Sequence, residues 1–373
     1  MKILFFTNVP SPYRVDFFNE LGKYCKLTVV FEKETSTERD KSWKEYEIKS
    51  YEAIFLPGIS LSTDTAFCFG FKKIIKNGGF DIIICSNFTS LTGMRIVSYL
   101  RRKKIDYFLE SDGGLAKSGK GIKEKIKTHF IKGAKGYFST SDIHDEYYLT
   151  YGAEKSRLIR YPFTSLKQKD IDVETPSRIT KVELRKKLNI TEEKVIISVG
   201  RFSYLNGYGK GYDVLIRSAT QMGKDVGWYI IGGEPTEEFE KMRVDAGLDN
   251  VHFIKFLNKE ELKEFYRAAD VFVLMTVADV WGLVVNEAMA CGLPVITTDK
   301  CVAGLDLVKD GENGYILPVG DDKGLKEKLE ILFANEEKIK DAGKKSLEII
   351  REYTIENMAK THIEIFKKVL NEK

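Results

Sequence analysis

Residues 271–298 read VFVLMTVADVWGLVVNEAMACGLPVITT. The apolar run Val271 to Met275 has the length of a buried strand, and a second run follows from Pro294 to Ile296. Between them, Leu283, Val284, Ala288 and Met289 form an apolar face at helical spacing, and Gly292 with Pro294 marks the stop. Thr276 to Gly282 has the turn-forming and small residues of a loop. The stretch therefore reads strand, loop, helix, strand, with the helix N-terminus directed out of a sheet edge. Asp279 lies in the loop, and Glu287 follows eight positions later in the second turn of the helix.

This order of elements has chemical meaning. The first N–H groups of a helix, here around Gly282, Leu283 and Val284, lack intrahelical acceptors and bind anions such as a diphosphate. Glycine at 282 permits close approach of a ligand to the backbone. A carboxylate one turn into the helix reaches a sugar diol, such as that of a ribose. A carboxylate in the preceding loop lies near whatever the phosphate carries.

Upstream, Val195 to Val199 is a strand that ends in Gly200-Arg201, followed by the glycine-rich run Asn206 to Gly211 and a helix from Tyr212. Arg201 and Lys210 are cations flanking a loop that can fold over a diphosphate. Trp228 to Ile231 is the next strand and ends in Gly232-Gly233. Val251 to Phe256 is another, followed by a helix capped by Asn258. Gly314 to Pro318 is a late strand, and helices are expected over 323–334, 336–352 and 355–370.

The first half repeats the α/β pattern. Lys2 to Val9 is a strand, and Pro10 and Pro12 open a helix from Tyr13 to Gly22 that carries Arg14. Strands are expected over 27–31, 46–56, 81–85, 107–109, 136–140 and 158–161, and helices over 67–76, 91–104 and 142–150. The strand at 107–109 runs into Glu110-Ser111-Asp112-Gly113-Gly114. Either Glu110 or Asp112 touches a substrate, or the loop merely turns. The run from Gly119 to Gly136 reads as a basic amphipathic helix with Ile122, Ile126, Phe130 and Ala134 along one face. It rests either on anionic lipid or on the protein core. Charged residues 32–44 read as a loop, and polar residues 165–180 as a linker.

With 373 residues, two domains are expected. The boundaries read as 1–167, 168–354 and a last helix over 355–373. Hydrophobic residues make up 43% of the chain, a globular value, and no run of 18 apolar residues is present to span a membrane. Five cysteines without CxxC spacing fit a reducing cytoplasm. Four histidines, none paired at ligand spacing, give no metal site. The net charge of +4 conceals a balance of +9 over 1–167 and −5 over the remainder, so an anionic partner is expected for the first half. No GxGxxG follows the first strand, which disfavours a nicotinamide dehydrogenase.

The run from Asp279 to Val295 resembles the acid-x7-Glu signature of the retaining GT-B glycosyltransferases of family 4. Gly282, Glu287, Ala288, Ala290, Gly292, Pro294 and Val295 match it. The first acid is Asp279 where the family has Glu, and Trp281 replaces Phe. Gly200-Arg201 with Lys210 resembles a second family stretch. The resemblance implies two Rossmann-like domains facing across a cleft, the first binding the acceptor and the second the nucleotide sugar. It implies transfer of a sugar from a UDP-sugar to a saccharide or lipid-linked acceptor, in assembly of bacterial surface polysaccharide at the inner membrane face.

In that reading Arg201, Lys210 and the 282–284 amides hold the diphosphate without a divalent metal or other cofactor. Glu287 holds the ribose, Asp279 contacts the donor sugar, and the backbone at Phe256 and Leu257 receives the base, near Gly232 and Gly233. The first loop has Asn8-Val9-Pro10-Ser11 where the family often has two glycines, so Arg14 either contacts phosphate or is a salt-bridged helix arginine. Many members have a histidine near Glu110 and Asp112; this chain has none there. A nucleotide-sugar 2-epimerase and a non-catalytic nucleotide-sugar binding protein share the architecture. Nucleic acid is not among the expected partners.

Overall fold

The computed structural model describes residues 1–34, 46–116, 119, 121–171, 180–202 and 204–371. Most of the 32–44 loop, half of the 165–180 linker and Lys120 lie outside the described residues. The chain divides into two compact units, one formed by Met1–Ser165 with Thr354–Lys373 and the other by Leu166–Tyr353.

In the first unit the order is β1 (Lys2–Thr7), α1 (Pro12–Leu21), β2 (Lys26–Phe31), β3 (Glu52–Phe55), β4 (Gly58–Ser60), β5 (Ala66–Cys68), α2 (Phe71–Gly78), β6 (Ile82–Cys85), α3 (Leu91–Arg102), β7 (Phe108–Glu110), α4 (Ile122–Ile131), β8 (Gly136–Ser139), α5 (Asp142–Thr150) and β9 (Leu158–Arg160). The second unit adds α6 (Lys181–Lys187), β10 (Lys194–Val199), α7 (Tyr212–Ala219), β11 (Val226–Ile231), α8 (Glu237–Asp245), β12 (Val251–Ile254), α9 (Lys259–Ala268), β13 (Val271–Leu274), α10 (Leu283–Ala290), β14 (Val295–Thr298), α11 (Val302–Leu307), β15 (Gly314–Leu317), α12 (Asp322–Phe333) and α13 (Glu336–Ile350). The last helix, α14 (Ile355–Asn371), returns to the first unit and packs on α1.

Both main sheets are parallel. The first unit has seven strands in the order β3-β2-β1-β6-β7-β8-β9, and the second has six in the order β12-β11-β10-β13-β14-β15. Parallel strands buried on both faces read as near-continuous apolar runs, and Ile82–Cys85 and Val271–Leu274 are buried at every position. Fully burying each Phe of β1 and α1 (Phe5, Phe6, Phe17, Phe18) contributes about 1.5–3 kcal/mol. In sheets of this kind ligands bind at the carboxyl ends of the strands where the strand order reverses. That point lies between β1 and β6 in the first unit and between β10 and β13 in the second.

Several elements differ from the sequence reading. The strand expected over 46–56 is confined to Glu52–Phe55, and Phe67 lies in an antiparallel hairpin, β4 with β5, rather than in a helix. The basic helix is shorter, Ile122–Ile131, and its apolar positions do not all meet the core: Ile122 is 78% exposed and Ile126 40%. In α10 the buried positions are Val285, Asn286, Ala288, Met289 and Ala290, while Leu283 and Val284 are half-buried at its start.

Candidate active site

The six parallel strands of the second unit bring the expected donor-site residues to one edge. Arg201 and Lys210 follow β10, Gly232 and Gly233 follow β11, Phe256 and Leu257 follow β12, and Asp279 and Gly282 follow β13. Lys210 and Asp279 thus lie on either side of the β10/β13 switch point, and their side chains meet: Lys210 Nζ is 2.7 Å from Asp279 Oδ2. The Lys210 ammonium lies 5.6 Å from the centre of the Tyr204 ring.

Glycine is required at two places along this edge. Gly282 caps α10 with φ +100°, and a Cβ there would lie 2.8 Å from Cys301 Sγ. At Gly232 a Cβ would fall 2.1 Å from the Gly200 carbonyl oxygen, so β10 and β11 can end side by side only without one. Among the described residues no side chain caps α10, which leaves its first N–H groups, at Leu283 and Val284, at the sheet edge. Arg201 and Phe256 are exposed, and Leu257 is half-buried in the turn before α9.

Glu287 lies in the second turn of α10, half-buried, and accepts a hydrogen bond from the Tyr266 hydroxyl at 3.3 Å. Burial, reinforced by the Glu287 charge, holds the Tyr266 phenol well above its ordinary pKa, so it remains a donor. The loop before α10 is fixed by buried Trp281, whose indole N–H donates to Asn286 Oδ1 at 2.8 Å. Nothing in the sequence marked Tyr266, which looks like any helical core residue, or singled out Asn286 as the indole's partner.

In the first unit Arg14, Glu110 and Asp112 come together. Glu110 is the last residue of β7, completely buried, with one oxygen paired to Arg14 Nη1 and the other 3.4 Å from His362 Nε2 of α14. Burial, the largest single influence, would raise its pKa, yet the charges and hydrogen bonds of Arg14 and His362 together outweigh it and hold the carboxyl below the usual range. Glu110 is therefore an interior anchor and not a group that faces a substrate. Arg14 is 3% exposed, and its two terminal nitrogens pair with Glu110 and Asp112. The alternative of a phosphate contact for Arg14 is thereby replaced by an interior ion pair. Asp112 keeps part of its surface in water and also accepts a 2.5 Å hydrogen bond from the Tyr13 hydroxyl. His362 and Tyr13 were not legible as members of this cluster, because His362 lies 252 residues from Glu110 in sequence.

Behind the same loop, buried His144 receives the Thr140 backbone N–H on Nδ1 at 3.2 Å, so its ring proton is on Nε2, 2.8 Å from Ser111 Oγ. Burial, with the nearby Arg160 charge, lowers its pKa to about 3. Among the described residues no group of three or more His, Cys, Asp or Glu forms a metal-ligand set, and no helix is long and apolar enough to cross a membrane.

The two-unit fold with parallel sheets is that of the GT-B glycosyltransferases. Over its whole length the chain superimposes on sucrose-phosphate synthase from Thermosynechococcus elongatus with a TM-score of 0.79 at 18% identity, covering 100% of both chains. It superimposes equally, at 0.79 and 18% identity, on Anabaena Alr3699/HepE in complex with UDP, covering 99% of this chain and 100% of that one. Within this class, residues 180–348 match the family model described as Glycosyl transferases group 1. The D-inositol 3-phosphate glycosyltransferase of Mycobacteroides abscessus is 32% identical over 191 residues, 48% of this chain and 40% of that protein. The chain spans less than half the length of the curated relatives it matches.

Proposed function

We propose that the protein is a retaining glycosyltransferase that moves a sugar from a UDP-sugar to a saccharide or lipid-linked acceptor in the assembly of a surface polysaccharide. The observation that carries the reading is the convergence of Lys210, Asp279, the N-terminus of α10 and Glu287 at the switch point of one parallel sheet. Arg201, Lys210 and the first α10 amides bind the diphosphate and stabilise the charge that grows on it as the glycosidic bond breaks. That role supplies the Lewis-acid function without a divalent metal. Glu287, oriented by Tyr266, accepts from the ribose hydroxyls, and the turn at Phe256 and Leu257 receives the base. Support for uridine comes from the Anabaena protein, whose structure contains UDP.

In the first unit Asp112, held by Arg14 and Tyr13, faces the acceptor as a fixed hydrogen-bond acceptor. The membrane side of the reading rests on charge. Helices α2, α3 and α4 follow one another on one face of the first sheet, α2 beside α3 and α3 beside α4. Together they carry nine Lys and Arg against the single carboxylate of Glu124. We place this face on the anionic inner surface of the cytoplasmic membrane, with the protein peripheral and cytoplasmic.

The test is a panel of nucleoside diphosphates and nucleotide sugars scored by thermal stabilisation. A ligand at a hundred times its Kd stabilises by about 2.7 kcal/mol. UDP and one UDP-sugar are expected to raise the melting temperature, and the same UDP-sugar should be consumed only when acceptor is added. Consumption of the donor alone would show an epimerase or hydrolase instead. Binding without any transfer across an acceptor panel would show a binding protein.

A further inference from the structure

The donor reading gives Lys210 and the α10 N-terminus to a diphosphate, and the role of Asp279 depends on that reading. Lys210 already faces an anion supplied by the chain, the Asp279 carboxylate, which lies beside the cap of α10. Its Oδ2 pairs with Lys210 Nζ at 2.7 Å, and its Oδ1 lies 3.4 Å from the Trp281 backbone N–H. A Cβ on Gly282, the cap of α10, would stand 3.7 Å from Asp279 Cγ. The two side chains are only 16% and 17% exposed, so water screens the pair weakly.

Neither partner is loosely held. The Asp279 backbone is pinned on both sides, its N–H donating to the Lys300 carbonyl at 2.9 Å and its carbonyl accepting from Val302 N–H at 3.2 Å. The Lys210 stem lies against Gly200, where a Cβ would meet its Cγ and Cδ at 3.0 Å. An aspartate here has one methylene less reach than the glutamate found in the resembling sequences, and its carboxylate stays at the helix cap with both oxygens engaged.

We propose that Asp279 is an internal anion that competes with the donor diphosphate for Lys210 and the α10 N-terminus, setting nucleotide affinity and release rather than gripping the donor sugar. A second anion brought to the same cation meets like-charge repulsion that burial leaves largely unscreened. Nucleoside diphosphate therefore binds less tightly than the cations alone would allow, and it leaves faster after transfer. Asp279 is in this sense a positioning residue that acts through Lys210.

The test is calorimetric binding of UDP and of inorganic diphosphate to the full-length wild type and to Asp279→Asn, an uncharged side chain of the same shape. The variant should bind both at least fivefold more tightly at low salt, with the advantage shrinking as salt rises. Asp279→Glu should remain within twofold of wild type. In a double-mutant cycle, Lys210→Met should abolish the gain from Asp279→Asn, an outcome that a merely structural Asp279 would not produce. Equal or weaker UDP binding by Asp279→Asn, with a larger loss for the UDP-sugar than for UDP, would show that Asp279 grips the sugar and would overturn the proposal. If wild type binds inorganic diphosphate but no nucleoside diphosphate, the donor reading fails by itself, and the inorganic arm still decides the role of Asp279.

Discussion

At the scale of single residues, the proposed donor site could be drawn from sequence because its chemistry is local there. Asp279, Gly282 and Glu287 lie on one loop and the helix that follows it, and a loop-helix spacing fixes their geometry. Lys210 was legible only as a cation in a glycine-rich loop; its ion pair with Asp279 needed the fold, since 69 residues separate them. Tyr266 was not legible at all. It reaches Glu287 from the neighbouring helix α9. Glu287→Ala should weaken UDP binding by roughly 1.5–3 kcal/mol, the usual value of a hydrogen bond to a charged group. Deoxy-ribose analogues of UDP should lose less affinity on the variant than on wild type, and titration with both ligands checks this.

The cations Arg201 and Lys210 make a second prediction at this scale. Because charge on the leaving diphosphate grows toward the transition state, Arg201→Ala and Lys210→Ala should each lower kcat more than they raise KM. Steady-state kinetics on the identified donor and acceptor would show the split. The same assay in chelator should proceed at the untreated rate. Activity abolished by chelator and restored by magnesium or manganese would contradict the metal-free reading.

At the scale of elements, apolar runs located nearly all the buried parallel strands, since a strand covered on both faces has little choice of composition. Periodicity failed where burial is partial. The hairpin β4–β5 is short and its Gly58–Ser60 strand wholly exposed, so no apolar pattern marks it. In α4 the spacing of Ile122 and Ile126 is helical, but spacing does not say which surface the stripe meets, and both are exposed. The burial of Glu110 was not legible for a related reason: an acid after a strand looks like a loop acid until Arg14 and His362 are seen to close over it.

One element carries a pH signature. His144, near the start of α5, has a pKa lowered to about 3 by burial and by Arg160, whereas in the unfolded chain it titrates near 6.5. Between those values the unfolded chain binds a proton that the native unit does not. Stability is therefore full above about pH 6.5 and falls as the pH drops below it, by about 1.4 kcal/mol per unit. From pH 7 to pH 5 the first unit should lose roughly 2 kcal/mol. Glu110, whose pKa is held low, adds its own loss only below the ordinary carboxylate range. Chemical denaturation from pH 7 to 5 is the measurement, and His144→Gln should flatten the dependence in that window. An equally steep decline in the variant would assign the acid sensitivity elsewhere.

At the scale of the whole molecule, the charge asymmetry of the halves was visible by counting, but its concentration on α2, α3 and α4 appeared only when the topology put those helices on one face. The positively charged face ends at exposed apolar side chains: Leu91 begins α3 and Ile122 begins α4, and both helices start at the carboxyl edge of the sheet. A surface with basic and apolar groups so arranged suits an anionic bilayer, to which each Lys or Arg near the surface contributes about 1 kcal/mol. Lys123 and Lys125 are the residues to reverse, since both are exposed, whereas Lys127 lies 5.0 Å over the Tyr151 ring and takes part in packing. The double variant Lys123→Glu with Lys125→Glu should lose most binding to vesicles containing phosphatidylglycerol in a sedimentation assay at low salt. UDP affinity should be unchanged, because the donor-site residues belong to the other unit. Transfer to a short water-soluble acceptor should persist while transfer to a lipid-linked one falls. Loss of activity on both acceptors would instead place an anionic saccharide against these lysines, and wild type that ignores the vesicles at low salt would remove the membrane from the proposed function.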